Sequence, residues 1–420
     1  MKKQCRVRRK PEQGRRTVQV ESITVDPRAA LMELAVATGL QVLEQMLEED
    51  RAALCGARYR HDTGRTASRG GTTPSAVVLG GRKLQVRRPR VRTAGGEAVL
   101  PTWAAVSDGA PLTHRVLQQA LLGVATRRYA DSLEPIGAGL KSRSASKSAV
   151  SRRFVRATAA QVNTWQARPL TQFDLAVLFV DGVRFGRECL VLALGIDVTG
   201  HKHVLGLWPG STENATVCQA LLSNLRDRGL RTDRSLLIVL DGSKALSKAV
   251  TQTFGTAAWI QRCQVHKLRN VTDYVAKTQR PWVRQRVQTA MRAESQATAR
   301  RQLETLARQL DGRYPAAAAS LREGLAELLT VLDLPVSGLL RRALVNTNTI
   351  ESAIGYVRHI HRNVKRWRGP DMAVRWAVAG LVDATRGFKR IKGASDIRAL
   401  VNALRARDKQ LGIGDASCAA

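Results

Sequence analysis

The chain has 420 residues, room for two or three domains with cores of their own, and carries 68 Lys and Arg against 34 Asp and Glu, a formal net charge of +34. A surplus of that size exceeds what solubility requires. It points to a polyanion partner, nucleic acid ahead of a merely adhesive or ribosome-associated basic protein. No run of about 18 apolar residues is present to span a membrane, and Cys5, Cys55, Cys189, Cys218, Cys263 and Cys418 are scattered without a Cys-x-x-Cys pair, which fits a reducing cytoplasm better than a disulfide framework.

Residues 1–26 read as a flexible basic arm; the opening MKKQCRVRRKPEQGRR has no apolar segment behind it and is not a signal peptide. Residues 27–110 read as a helix plus a basic hairpin, for assembly and DNA contact. The helical spacing of PRAALMELAVATGLQVLEQMLEEDRAAL suits contact with another protein or ordinary packing on its own domain. RYRHDTGRTASRGGTTP is expected to be a loop. In SAVVLGGRKLQVRRPRVR, Gly80-Gly81 supplies a tight turn, Leu84 and Val86 one apolar face, and Arg82, Lys83, Arg87, Arg88 and Arg90 a phosphate-facing one. Residues 111–170 are expected to be helical. Ser146 or Ser148 would cap a helix carrying Arg152, Arg153 and Arg156, in the pattern of a helix-turn-helix recognition helix.

From Phe173 the composition changes. FDLAVLFVDGVRF, ECLVLALGIDVTG and HKHVLGLWPG predict three antiparallel strands, and STENATVCQALLSNLRDRGL a helix capped by Ser211 or Thr212 and stopped at Gly229. SLLIVLDGSKAL and AAWIQRCQVHKLRNV each read as a strand entering a helix. Residues 282–340 are helical, as are the segments that begin at Asn346 and Asp371. Strand, strand, strand, helix, strand, helix, strand and then helices is the order of an α/β, ribonuclease-H-like domain, here 171–281 with 341–395, interrupted by an all-α insertion at 282–340; residues 396–420 read as a C-terminal tail.

LAVLFVDG and SLLIVLDG share a design, an apolar strand ending in Asp-Gly. Asp-Gly is an ordinary turn signal, but two such strands lying side by side would bring Asp181 and Asp241 together at the rim of the sheet. Crowded carboxylates repel, and either take up a proton or share a cation. Oxygen ligands with open positions suit Mg²⁺, with Mn²⁺ as substitute, and two such ions roughly 4 Å apart serve phosphoryl transfer. A third carboxylate completes that set. In NTNTIESAIGYVRHIHRNVKRWRG, Glu351 is the one acid; Asn348 or Thr349 would cap its helix, and Ile350, Ala353, Ile354, Val357 and Ile360 would pack it on the sheet. Gly355 leaves space one turn on, and Arg358, Arg362, Lys365, Arg366 and Arg368 would form a track for a phosphate backbone. The plainer account is that Glu351 complements the helix N-terminus.

Together, FVDG, LGLWPGSTEN, IVLDGSKAL, IQRCQVHKLRN and NTNTIES…VRHIHRNVKRWRG resemble the Mutator-like DDE transposases of bacterial insertion sequences. The resemblance implies that Asp181, Asp241 and Glu351 are the metal-binding and catalytic triad, and that Cys263 and His266 form the family's auxiliary motif. It also implies an enzyme that cuts double-stranded DNA at the terminal inverted repeats of its element and joins the freed 3′-hydroxyl to another phosphate, as a homo-oligomer on paired ends, in the bacterial cytoplasm with the nucleoid. The residues allow a structure-selective nuclease or a non-catalytic, domesticated DNA-binding protein as alternatives. Cys-x-x-His is half of a zinc site, which His201 and His203 would have to complete. The other reading packs Cys263 beside the strand and has His266, with Lys267 and Arg269 on its helix, reach the scissile phosphate. Trp208 reads as core, with base stacking as the alternative. Asp197 reads as a turn residue and Glu213 as a cap.

Overall fold

Residues 27–60, 64–134, 142–210, 214–336 and 338–413 are described by the computed structural model. The chain divides into two units, Met1–Phe154 and Val155–Ala420. The basic arm, Cys5, Cys418, Glu213 and the expected caps Ser211 and Thr212 lie outside the described residues.

The first unit holds α1 (Pro27–Cys55), β1 (Ala67–Leu79), β2 (Arg82–Thr93), β3 (Gly96–Ala98), α2 (Pro101–Val106), α3 (Ala110–Leu121), β4 (Ser142–Ser144) and the start of α4 (Lys147–Ala167). The hairpin turns where the two glycines stand, with φ of 58° and 80° at Gly80 and Gly81. Leu84 and Val86 bury against Val77 and against Val36 of α1, while Lys83 and Arg87 face water. Leu31, Leu34, Val42 and Met46 of α1 remain exposed.

Two expectations fail in this unit. The segment expected as a loop supplies half of β1, because Ala67 to Arg69 pair with Thr93 to Val91 and the two glycines that follow are absorbed in a bulge between Arg69 and Thr72. A helix-turn-helix is not formed either. Between α3 and α4 lie two 3-10 turns and β4, which pairs with β2, so no short turn joins the helices. The cap on α4 is Ser146, whose hydroxyl accepts from the Ala149 amide at 3.3 Å.

The second unit is built on β5 (Leu175–Phe185), β6 (Glu188–Asp197), β7 (Lys202–Gly210), β8 (Leu236–Leu240) and β9 (Ala258–Arg262), in the order β7-β6-β5-β8-β9. The first three are antiparallel, as expected; β8 and β9 run parallel to β5. Helix α5 (Ala215–Asp227) follows β7 and α6 (Lys244–Phe254) follows β8. The N-cap of α5 is Asn214, accepting from the Val217 amide.

Strand alternation sorts the apolar residues onto two faces. Leu178 and Val180 of β5 pack with α5 and α6, whereas Val177, Phe179, Val183 and Phe185 pack against helices from the C-terminal part of the chain. Those include α13 (Asn348–Ile360), α14 (Pro370–Thr385) and α15 (Ile397–Leu411). The expected tail is therefore largely this last helix, held by Ile397, Leu400, Val401 and Leu404.

After β9 the chain forms α7 (Gln264–Asp273), α8 (Arg280–Met291), α9 (Gln296–Asp311), α10 (Pro315–Arg322), α11 (Leu325–Leu328) and α12 (Gly338–Leu344). Val283, Val287, Leu303, Leu306, Leu310 and Leu321 give this helical region a core separate from the sheet's. It returns to the sheet through α13 (Asn348–Ile360) and α14 (Pro370–Thr385).

Candidate active site

Parallel pairing of β5 with β8 runs through Val180 opposite Leu240. Asp181 and Asp241 are thus the next residues on adjacent strands. Both continue the odd-numbered series (Val177 and Phe179, Leu237 and Val239) whose side chains lie on the face covered by α13. Their surroundings differ. Asp241 follows the end of β8 as expected, but Asp181 sits inside β5, which continues to Phe185 because Val183 and Phe185 keep the alternation going against Leu190 and Glu188. Asp181 is 7 % exposed and accepts from the Gly182 amide at 2.8 Å. The Asp241 carboxylate accepts from the Ser243 amide at 2.8 Å, and Gly242 between them has φ of 102°.

The third acid arrives on α13, whose apolar stripe Ile350, Ala353, Ile354, Val357 and Ile360 is buried, the first four in the core that covers the sheet. Each Ile or Val of the stripe contributes roughly 1.5–3 kcal/mol of burial, enough in sum to fix the helix and hence Glu351 in its first turn. The N-cap is Thr347, not Asn348 or Thr349. Thr347 is wholly buried, and its hydroxyl lies 2.6 Å from Glu351 Oε1, 3.4 Å from His266 Nδ1 and 3.5 Å from Cys263 Sγ. Glu351 Oε1 is the nearest of these three partners. His266 Nε2 stands 4.0 Å from the same carboxylate oxygen. Thr347 was not among the residues singled out from sequence; its place four residues before Glu351 at a helix start is the signal that pointed to it.

Electrostatics tie the group together. Burial, then the charges of Asp241 and Glu351, push Asp181 up to about 7. The Cys263 sulfur, helped by Asp181 and Asp241 and opposed by burial, holds His266 up at about 9. Burial works to raise the Cys263 thiol, but hydrogen bonds from His266 and Thr347 outweigh it and leave it below the ordinary range. Three carboxylates with one imidazolium between them make a hard, oxygen-rich donor set that a divalent cation would relieve of its repulsion. Among the described residues no three His, Cys, Asp or Glu side chains already close round a single point.

The zinc alternative finds no support. His203 bonds to Asp197 at 2.8 Å and lies against Phe173, and the His201 amide also bonds to Asp197. Asp197 accepts from the amide and hydroxyl of Thr199 as well; burial works to raise its carboxyl, but the His203 bond, followed by these turn bonds, holds it down at about 2. Trp208 packs with the core on the α5 and α6 face, opposite Asp181.

The expected DNA-contact residues divide. Lys83, Arg87, Arg152, Arg156, Arg269, Arg358, Arg362, Lys365, Arg366 and Arg368 are exposed. Lys267 is not: it is completely buried and donates to the carbonyls of Ser320 and Glu323, so it holds the helical region rather than DNA. Arg88 is committed to Glu97 at 2.7 Å and lies over Trp103, Arg82 donates to the Glu134 carbonyl at 2.5 Å, and Arg153 reaches Thr113. The track after Glu351 is not one helix, since α13 ends at Ile360 and a 3-10 turn follows. The reason is aromatic. Trp367 and His361 pack edge-on against Phe185 and each other, with ring centroids 4.7–5.7 Å apart. A Cβ on Gly186 would come within 2.7 Å of the Trp367 ring. The segment is thus pinned to the β5–β6 hairpin, whose Arg184 and Arg187 are exposed beside it and escaped sequence reasoning.

No helix among the described residues is long and apolar enough to cross a membrane. Residues 16–390 match the model of the Transposase, Mutator family. The chain is 29 % identical over 244 residues to a probable transposase for an insertion sequence element of Corynebacterium diphtheriae, covering 56 % of this chain and 70 % of that protein. It is 31 % identical over 277 residues to the transposase for insertion sequence element IS905 of Lactococcus lactis, covering 64 % and 67 %. It is 26 % identical over 353 residues to the transposase for IS256 in transposon Tn4001 of Staphylococcus aureus, covering 81 % and 87 %. The match spans the hairpin, the sheet, the helical region and α13 alike: the chain belongs to the Mutator family of transposases.

Proposed function

We propose that this transposase binds the terminal inverted repeats of its mobile element and carries out metal-dependent strand cleavage followed by 3′-hydroxyl strand transfer, with Asp181, Asp241 and Glu351 as its DDE triad. The observation that carries the reading is the convergence of Asp181 and Asp241 from adjacent parallel strands beneath the first turn of α13, where their charges and that of Glu351 oppose one another. The strand order β7-β6-β5-β8-β9, with a helical region entered after β9 and left before α13, supports a ribonuclease-H-like catalytic domain with an all-α insertion at 282–340. The first unit, with its basic hairpin, would serve DNA binding and assembly, and the exposed apolar residues of α1 favour a homo-oligomer on paired ends.

Two Mg²⁺ ions, or Mn²⁺ in their place, held by the triad would activate the attacking oxygen and stabilise the leaving one. The chain's own residues do the rest. Thr347 orients Glu351, and His266, kept protonated, offers positive charge to the oxygens of the scissile phosphate. Hydrolysis of the phosphodiester frees a 3′-hydroxyl at the element end. That hydroxyl then attacks a target phosphate and displaces the target's own 3′-oxygen, with no covalent protein–DNA intermediate. The working site is the nucleoid in the cytoplasm.

Incubating the purified protein with end-labelled inverted repeats and Mg²⁺, and mapping the products to the nucleotide, tests this directly. Nicks at the element boundary and joined products are expected; cleavage indifferent to the repeat sequence would indicate a structure-selective nuclease instead. His266→Ala is expected to slow cleavage by roughly 10²-fold with end binding retained.

The DNA path follows from the pinned segment. Arg362, Arg366 and Arg368 changed together to Gln should weaken end binding and flatten its dependence on salt by roughly 0.9 in log–log slope per lost phosphate contact. An unaltered slope would remove this segment from the path.

A further inference from the structure

We propose that Arg262 is a positioning residue that ties the Asp241 loop to the all-α insertion, so that the insertion sets the place of one catalytic carboxylate. The inference rests on the reading of Asp241 as a member of the triad.

Arg262 is the last residue of β9 and its side chain is 8 % exposed. One guanidinium nitrogen, Nη2, donates to the Gly242 carbonyl at 3.1 Å, one residue beyond Asp241, and lies 3.3 Å from Glu323 Oε2. The other, Nη1, donates to the Glu323 carbonyl at 3.2 Å. Glu323 stands in the turn between α10 and α11 of the insertion, so one planar group bridges two loops that are distant in sequence. Both loops close on it with left-handed glycines. Gly242 has φ of 102° and a Cβ there would fall 2.3 Å from Arg262 Nε; Gly324 has φ of 62° and a Cβ there would fall 2.6 Å from Nη1. No other residue lets both backbones approach so closely.

A second cation strengthens the same joint. Lys267, fully buried and next to His266 on α7, donates to the carbonyls of Ser320 and Glu323. The insertion turn is therefore fastened to the Asp241 loop and to the helix that bears His266. Holding a helical region to a sheet does not require this. Buried ions cost several kcal/mol each in desolvation, and apolar contacts hold such a joint more cheaply, while the insertion has its own core. What a fork of N–H groups on carbonyls adds is fixed geometry. The Ser243 amide, which orients the Asp241 carboxylate, lies directly beyond the clamped Gly242.

Arg262→Lys keeps the charge and loses the fork; Gly324→Ala crowds the guanidinium from the insertion side and leaves the Asp241 loop unchanged in sequence. Both are made in the full chain. Single-turnover cleavage of a labelled end, end affinity, thermal melting and amide hydrogen exchange in metal-free protein are measured for each. For Arg262→Lys we expect cleavage at least 30-fold slower and exchange at Gly242 and Ser243 at least tenfold faster. End binding should stay within twofold, and the core amides of the insertion should be unaffected. Gly324→Ala should move the same readouts in the same direction, and it decides the question if Arg262→Lys does not fold. Cleavage within threefold of wild type with unchanged exchange at 242–243 overturns the proposal, as does faster exchange spread through the insertion and sheet, which would make the residue a plain stabiliser. Asp241→Ala is run alongside: if it still cleaves, the triad reading has failed, whereas its inactivity beside an unimpaired Arg262→Lys condemns the positioning role alone.

Discussion

Asp181→Asn is expected to leave end binding within a few-fold of wild type while lowering strand cleavage by roughly 10³-fold or more, and Asp241→Asn and Glu351→Gln should do the same. The large effect follows from geometry. Each acid reaches the site from a different element, β5, the end of β8 and the first turn of α13, and no further carboxylate is among the charges that shift Asp181 to take over a lost one. The substitutions are nearly isosteric, so the packing of α13 on β5 is kept. Asp181→Asn also removes a buried charge that the fold tolerates poorly, so a poorly folded protein is not the expected cause of inactivity. Asp197→Asn is the matched control. Its carboxylate organises the turn after β6 through Thr199, His201 and His203, so its loss should lower thermal stability by about 1–3 kcal/mol and spare cleavage at permissive temperature. Full strand transfer by Glu351→Gln would remove that residue from the triad and leave the basic track as its only context.

The convergence of Asp181 and Asp241 was legible because each ends a run with no other polar residue, and only a central strand pair buries such runs on both faces. Glu351 was legible as the one acid before a helical apolar stripe. What escaped was set by contacts between distant segments. Asp181 looked like the last residue of its apolar run, but a strand continues wherever a partner does, and β6 offers Leu190 and Glu188 to Val183 and Phe185. Lys267 looked like one more cation in a basic run; its burial depends on the carbonyls of Ser320 and Glu323, 53 and 56 residues away. The end of α13 carries no Gly or Pro until Gly369, so a continuous helix was the fair expectation. The Phe185, His361 and Trp367 cluster overrides it, and no local pattern announces a ring that docks across the sheet. Arg262, lying in the same motif as Cys263 and His266, likewise gives no sign in sequence of the two glycines that meet it.

In chelator, the stability of the wild-type protein should fall as pH rises, and Mg²⁺ should restore it most at the alkaline end. Asp181 is held at about 7 in the fold against an ordinary 3.8. Between those values the folded chain keeps a proton that the unfolded chain releases, so stability decreases with rising pH across roughly pH 4 to 7 and the full penalty is present above it. A shift of that size corresponds to at most about 4 kcal/mol. His266 acts in the same direction over a higher window. Raised to about 9 from 6.5, it contributes stability that is complete below its ordinary value and lost as pH passes through 9. On the proposed reading, a divalent cation would take over the role of the Asp181 proton and would be favoured as that proton leaves. The melting temperature of the wild type should therefore rise on adding Mg²⁺ by several degrees at pH 8, at roughly 2–4 °C per kcal/mol, and by little at pH 5. Asp181→Asn has no proton to exchange, and should show a flatter chelator profile and a smaller Mg²⁺ response at pH 8. A Mg²⁺ shift of equal size at both pH values, or one that Asp181→Asn retains in full, would mean that the ion binds elsewhere and that the three carboxylates do not form its site.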